Sequence, residues 1–398
     1  MPVAIVENTL TPDVINDNHN YDIPDGFHSE FIEPLIKEIR AAGISDPSSI
    51  KFDPARHIAF QDSDYAKTKR LTLTDLGVTD FHQEPITDIG VTEPFPLFTH
   101  EAVLIMRYEI FQKELFEKYG RLNNQSSTAA DQNIYIRGYA RSHAPFTKAA
   151  WEHPKTLEIM SKMSNVELEH QFDYEIGHIN LSVKTPQTET WGKETTNVST
   201  EEDQDVQDAD EIPAVVTWHF DSPQMVCVLM LSDTSDMIGG ETALIKGDGK
   251  VAKVEGPKQG WCNVLQGRIL RHIAMKPKGN FKERVTSVCS FRPKDPLLDD
   301  SVITTVKPAV LSASRYNEFY NEWMNYRLDV LAKRIEILKN NLNEKFAKGE
   351  MFDQLEAIEF LQNKVSKYAD GTWQEFEVVD DGLVERPASY NIVQARWD

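Results

Sequence analysis

Apolar positions recur at helical spacing near the start of the chain. Phe31, Ile32, Leu35, Ile36 and Ile39 fall three and four apart, which predicts a helix over 28–42. Thr99 is placed to cap a second helix reaching about Lys118, with Val103, Met106, Ile110 and Leu115 on its inner face. Pro154 stands in the first turn of a third, ending near Met163. The texture changes from Asp173 to Pro293. Short apolar and β-branched runs appear at Tyr174–Val183, Ala214–Asp221, Met225–Leu231, Glu241–Ile245, Trp261–Leu265, Ile269–Met275 and Arg284–Phe291. Turn signals separate them, among them Gly239-Gly240, Gly247-Asp248-Gly249 and Lys278-Gly279-Asn280. Many short strands with such turns predict a β sandwich or barrel. They leave no room for the crossover helices of a parallel sheet.

Helical spacing returns after Pro293. A long helix is expected from Ser312 or Ser314 to Phe346, with Phe319, Trp323, Leu328, Leu331, Ile335 and Leu338 as its packing stripe. A second spans about 352–368, and Trp373–Val379 reads as one more strand. The fold class is therefore mainly β with α flanks. The expected organisation is a single domain over 1–398, with a helical and irregular flank (1–172), a β core (173–293) and a C-terminal helical flank (294–398).

Charge narrows the function classes. Lys plus Arg number 42 against 63 Asp plus Glu, a formal charge of −21. That disfavours nucleic acid, which needs a basic face, and docking on an anionic membrane. The longest aliphatic stretch, Met225–Leu231, is far short of the ~18 residues of a membrane span. Met1–Leu10 lacks the basic and apolar regions of a signal peptide. Cys227, Cys262 and Cys289 have no zinc-type spacing and sit in apolar runs. They read as small buried residues of a protein in a reducing compartment, the cytoplasm. Part of the acidity is local, because residues 187–211 hold nine acids against Lys193. Such a stretch predicts a solvated loop, either a surface insertion or a lid over a site.

The chemistry concentrates in the β core. His219 and Asp221 stand at i and i+2 of an expected strand and so share one face, and His272 follows 51 residues later on another strand. Two imidazoles and a carboxylate on one side of a metal leave positions open, the facial triad of non-haem Fe(II) oxygenases. Twelve residues further come Arg284 and Thr286, again i and i+2. A guanidinium grips a carboxylate through two parallel hydrogen bonds, and a hydroxyl adds a third. The distal carboxylate of 2-oxoglutarate is such a group.

The order His219-Phe220-Asp221-Ser222-Pro223, Gly239-Gly240-Glu241, Gln266-Gly267-Arg268, His272 and Arg284-Val285-Thr286 to Phe291-Arg292-Pro293 resembles the Fe(II)/2-oxoglutarate-dependent oxygenases, nearest their isopenicillin-N-synthase-like branch. Asp173-Tyr174-Glu175-Ile176-Gly177-His178 is similar to a fungal group linked to specialised metabolism, which includes enzymes that close an aziridine ring on valine. The resemblance implies a double-stranded β-helix (jelly-roll, cupin-like) core wrapped by the helical flanks. It implies His219, Asp221 and His272 as iron ligands, Arg284 and Thr286 as the 2-oxoglutarate clamp, and Asn180 as a polar contact to that cosubstrate. Ser182 departs from the pattern, standing where many relatives carry tyrosine. The implied cofactors are Fe(II), 2-oxoglutarate and O2. The implied partner is a small-molecule substrate, with an amino acid favoured, whose C–H bond is hydroxylated, desaturated or closed into a ring. Arg137 and Arg141 are candidates for a substrate carboxylate, against pairing with local acids. His178 is expected to point away from the site. Two rivals stay open: an oxidase that keeps the triad without 2-oxoglutarate, and a non-catalytic binding protein on the same barrel. The sequence does not set the oligomeric state.

Overall fold

The computed structural model describes residues 23, 25–122, 132–183, 214–254, 256, 258–300 and 302–377. Within these, every strand pairing is antiparallel. Eight strands form the centre: β1 (His178–Val183), β2 (Ala214–His219), β3 (Met225–Met230), β4 (Thr242–Ile245), β5 (Val251–Lys253), β6 (Trp261–Leu265), β7 (His272–Met275) and β8 (Glu283–Pro293). One sheet carries them in the order β1-β8-β3-β6, and the other in the order β2-β7-β4-β5. Successive strands thus cross between sheets, except for the β4–β5 hairpin. That hairpin turns at Lys246–Lys250, where the expected Gly247-Asp248-Gly249 turn lies.

Alternation decides which face of the larger sheet meets what. On β1, Ile179 and Leu181 are buried on the outer side, in one apolar cluster with Phe31, Val103, Phe116 and Met160 of the N-terminal flank. His178 and Asn180 occupy the opposite side. The sheet is therefore sandwiched between helices and an interior lined by both polar and apolar side chains.

The N-terminal flank also supplies strands that its sequence pattern did not announce. Ile89–Thr92 pairs with β6 and Gln132–Ile136 with β1, so both edges of the larger sheet are covered. Arg70–Thr72 and Gly120–Leu122 extend it outward, Phe95–Pro96 adds to β6, and Leu168–His170 adds to β8.

Several helix expectations are corrected. Thr99 does cap, its hydroxyl oxygen accepting from the Ala102 amide at 3.4 Å, but the helix splits into His100–Ile110 and Lys113–Tyr119. Burial of Phe111, stacked on Phe31 at 4.9 Å, turns the chain there. The long C-terminal helix starts at Tyr316. Ser312 and Ser314 do not cap it, because their hydroxyls donate to the carbonyls of Leu122 and Val306. Its buried row is Phe319, Trp323, Tyr326, Arg327, Val330 and Arg334, whereas Leu328 and Ile335 face outward. Trp373–Gln374 is helix and not strand, the end of a helical run of Gln354–Phe360, a π-helical Leu361–Ser366 and Lys367–Gln374. Tyr368 and Thr372, one turn apart, are buried against Trp323 and Arg327 and fix that conformation. The acidic stretch 187–211 and residues 378–379 lie outside the described residues. No described helix is long and apolar enough to cross a membrane, and the three cysteines are free and buried.

Candidate active site

A cavity of about 190 Å³ lies between the two sheets. Thr305, Val306 and Leu311 of the C-terminal flank close one side of it. Ser222 ties that flank to the β2–β3 turn, its Oγ accepting from the Thr305 amide at 3.0 Å.

His219 ends β2 and His272 opens β7, paired directly in the register. Their rings stand 4.5 Å apart. Asp221 lies just beyond the strand, and its amide donates to the Gly267 carbonyl at 2.9 Å. It faces His219 and His272 because of that turn and not because of strand alternation. Its two carboxylate oxygens meet His219 Nε2 at 3.4 Å and His272 Nε2 at 3.3 Å. One ligand atom from each residue falls within 4.8 Å of the others, a grouping fit for one metal ion. Gly267 makes room for the carboxylate, since a Cβ there would lie 2.1 Å from Asp221 Oδ2. The Leu270 carbonyl accepts from His272 Nδ1 at 2.8 Å, which fixes the ring so that Nε2 is the nitrogen facing Asp221 and the position of a metal. Burial opposes the charge of Asp221, but the two imidazoles hold its carboxyl well below the usual range. All three side chains line the cavity, so the coordination positions they leave open face it. The donor set suits Fe(II).

Arg284 on β8 is 2% exposed and lines the same cavity. Its Nε donates to the Gly240 carbonyl at 2.9 Å. Gly240 has φ +79, and a Cβ there would crowd Arg284 Nε at 3.2 Å. Among the described residues no carboxylate pairs with this guanidinium. Burial pushes its pKa down to about 10, with Glu241 opposing from a distance. It is still a cation at neutral pH, and an anion in the cavity would complete it. Thr286 and Asn180 sit opposite each other across β8 and β1, both on the cavity wall. Asn180 Oδ1 is buried without a hydrogen-bond partner. Ser182, opposite Arg284 in the register, is buried but not among the lining residues.

The other end of the cavity has a different character. Arg137, 1% exposed, forms an ion pair with Glu175, and Ser290 Oγ donates to Glu175 Oε2 at 3.2 Å. Burial raises the Glu175 carboxyl and Arg137 counteracts it. Arg141 lies away from the cavity, where it pairs with Glu322 at 2.6 Å on the surface. His178 does not point away as expected. It shares the Asn180 face, two residues along β1.

Tyr135, Glu175 and Ser290 also join the wall without having been singled out by the sequence. A signal existed. Asn133, Tyr135 and Arg137 alternate with Ile134 and Ile136, and His178, Asn180 and Ser182 alternate with Ile179 and Leu181. Polar residues at period two on strands buried on both sides mark a polar interior.

No protein-family model matches the chain, and no curated protein matches it. Parts of it are similar to solved structures. A 2OG-Fe(II) oxygenase family oxidoreductase from Burkholderia pseudomallei aligns at 12% identity over 40% of this chain and 68% of that one, TM-score 0.28. A Pseudomonas putida prolyl-4-hydroxylase aligns at 14% identity over 56% and 97%, TM-score 0.31. A non-heme monooxygenase, the ThoJ-Ni complex, aligns at 13% identity over 61% and 96%, TM-score 0.34.

Proposed function

We propose that this protein is a non-haem Fe(II)- and 2-oxoglutarate-dependent oxygenase built on a double-stranded β-helix. It oxidises an unactivated C–H bond of a small metabolite, with an amino acid of specialised metabolism the first class to try. One observation carries the reading: His219, Asp221 and His272 converge on a cavity that also holds Arg284, a buried cation that no carboxylate pairs with among the described residues. The β1-β8-β3-β6 and β2-β7-β4-β5 orders support the barrel assignment. Three free, buried cysteines support a reducing compartment, the cytoplasm.

His219, Asp221 and His272 would hold the iron. Arg284 and Thr286 would bind the distal carboxylate of 2-oxoglutarate, and Asn180 would add a polar contact. Ferrous iron with 2-oxoglutarate supplies oxidation by O2: one oxygen atom enters the substrate or leaves as water, the other enters succinate, and CO2 is released. The chain's part is positioning and exclusion of water. Val226, Val228, Val288 and Ile273 provide an apolar wall beside the triad, and Val306 and Leu311 close over it. Arg137 would face the substrate.

Iron titration of the purified protein, followed by succinate measurement, tests this. Gly267→Ala places a methyl group against the Asp221 carboxylate and is expected to cut iron affinity about 10–100-fold while the fold persists. His219→Ala is expected to abolish stoichiometric iron binding. An unchanged iron load in His219→Ala contradicts the metal site. Substrate oxidation without 2-oxoglutarate selects the oxidase alternative.

A further inference from the structure

His178 is a polar side chain on the cavity wall that the oxygenase chemistry leaves unused. Its ring meets Tyr135 edge-on at 5.4 Å, and its Nε2 is buried without a hydrogen bond. A half-turn of the ring keeps its outline and exchanges nitrogens with carbons, so either edge can offer a nitrogen to the cavity. Burial, reinforced by the Arg137 charge, keeps the imidazole neutral, its pKa far below the ordinary value. An imidazole left this way is costly until a ligand or water satisfies it.

The surroundings define what it would bind. Ile136 pairs with Ile179 in the register, which brings Arg137 beside His178, yet the Arg137 charge is matched by Glu175. Ser290 completes that pair with a hydroxyl. This end of the cavity is therefore polar without net charge. Arg284 stands six residues before Ser290 on β8, about 20 Å along an extended strand. An anion has its unmatched cation there. At the His178 end it would lose water and gain no net charge in return.

Building on the oxygenase reading, we propose that His178 determines specificity for the primary substrate by hydrogen-bonding an uncharged oxygen function, a hydroxyl or an amide carbonyl. The test uses protein loaded with Mn(II) and 2-oxoglutarate. Three probes share one carbon skeleton: 3-methylbutanamide (neutral), 3-methylbutanoate (anionic) and 3-methylbutylammonium (cationic). Mn(II)-induced broadening of their methyl signals reports binding near the metal without turnover. The amide is expected to bind about tenfold or more tightly than either ion. His178→Leu is expected to erase that margin and His178→Gln, which retains a donor and an acceptor, to keep it. Equal or tighter binding of a charged probe overturns the proposal, as does no measurable binding of the amide. Unchanged amide binding in His178→Leu also overturns it. The native protein alone decides the first two outcomes. Failure to load Mn(II) and 2-oxoglutarate would overturn the oxygenase reading itself. A loaded protein without discrimination would overturn the His178 assignment alone.

Discussion

Two buried arginines, Arg284 in the barrel and Arg327 in the C-terminal flank, show how one residue type takes opposite roles. Both are almost fully excluded from solvent. Arg327 spends every arm of its guanidinium. Its NH1 meets Asp300, its Nε donates to Thr372 Oγ1 at 2.9 Å and its NH2 donates to the Tyr368 carbonyl at 3.1 Å. Tyr326 and Tyr368 donate their hydroxyls to the same Asp300 carboxylate. Burial would weaken the Arg327 charge, but Asp300 offsets this and holds its pKa above the ordinary value. Arg284 makes, among the described residues, one hydrogen bond to a backbone carbonyl, and burial pushes its pKa down to about 10. Equal burial thus gives a satisfied cation that ties helices together and one that no carboxylate pairs with among the described residues. The count of satisfied arms separates structure from binding.

The largest effect is expected where the arms are full. Arg327→Met leaves Asp300 buried without its cation and should lower the unfolding free energy by about 3–5 kcal/mol. Urea unfolding measures it. Asp300→Asn in the same background should cost much less than the sum of the two single changes, because the partners act as one unit. A loss under 1 kcal/mol for Arg327→Met would show that the pair is ornamental and would dissolve the contrast.

Arg284→Met should do the reverse. It removes a charge that burial disfavours, so stability should hold or rise. Affinity for 2-oxoglutarate should fall about 100-fold, since a bidentate charged contact contributes roughly 2–3 kcal/mol. Calorimetry with Mn(II)-loaded protein reads the affinity, and the same urea series reads the stability. Destabilisation with 2-oxoglutarate binding intact would reverse the assignments of the two arginines.

Which parts of this contrast are readable without coordinates depends on range. His219 with Asp221, and Arg284 with Thr286, stand out because i, i+2 pairs of these residue types suit metal and carboxylate chemistry, whereas His272, 51 residues on, is picked out by the order of motifs in the family resemblance. The barrel strands show through their apolar runs and glycine turns. The pairing of Arg137 with Glu175 is invisible along the chain, because 38 residues separate them and an irregular turn, Asp173–Glu175, presents the carboxylate. The same holds for Arg327 with Asp300, 27 residues apart. Short flanking strands such as Ile89–Thr92 escape notice because four residues carry too little period to be recognised. Trp373 misleads because an aromatic next to β-branched residues suggests a strand, whereas the contacts of Tyr368 and Thr372 with the long helix impose helical spacing.

Thr286 offers the finest adjustment of the comparison. It stands two residues from Arg284 on the same strand, 1% exposed, on the wall of the cavity. If the Arg284 end takes a carboxylate, the Thr286 hydroxyl supplies one neutral hydrogen bond beside the charged pair. Thr286→Val keeps the branched shape and the strand preference and removes only that donor. Such a bond contributes about 1 kcal/mol, so 2-oxoglutarate affinity should fall about fivefold. In the Arg284→Met background the loss should shrink, because the carboxylate no longer has the guanidinium to hold it against the hydroxyl. A double-mutant cycle on Mn(II)-loaded protein therefore measures whether the two residues grip one ligand. A coupling of zero would mean that Thr286 serves the sheet and Arg284 binds alone.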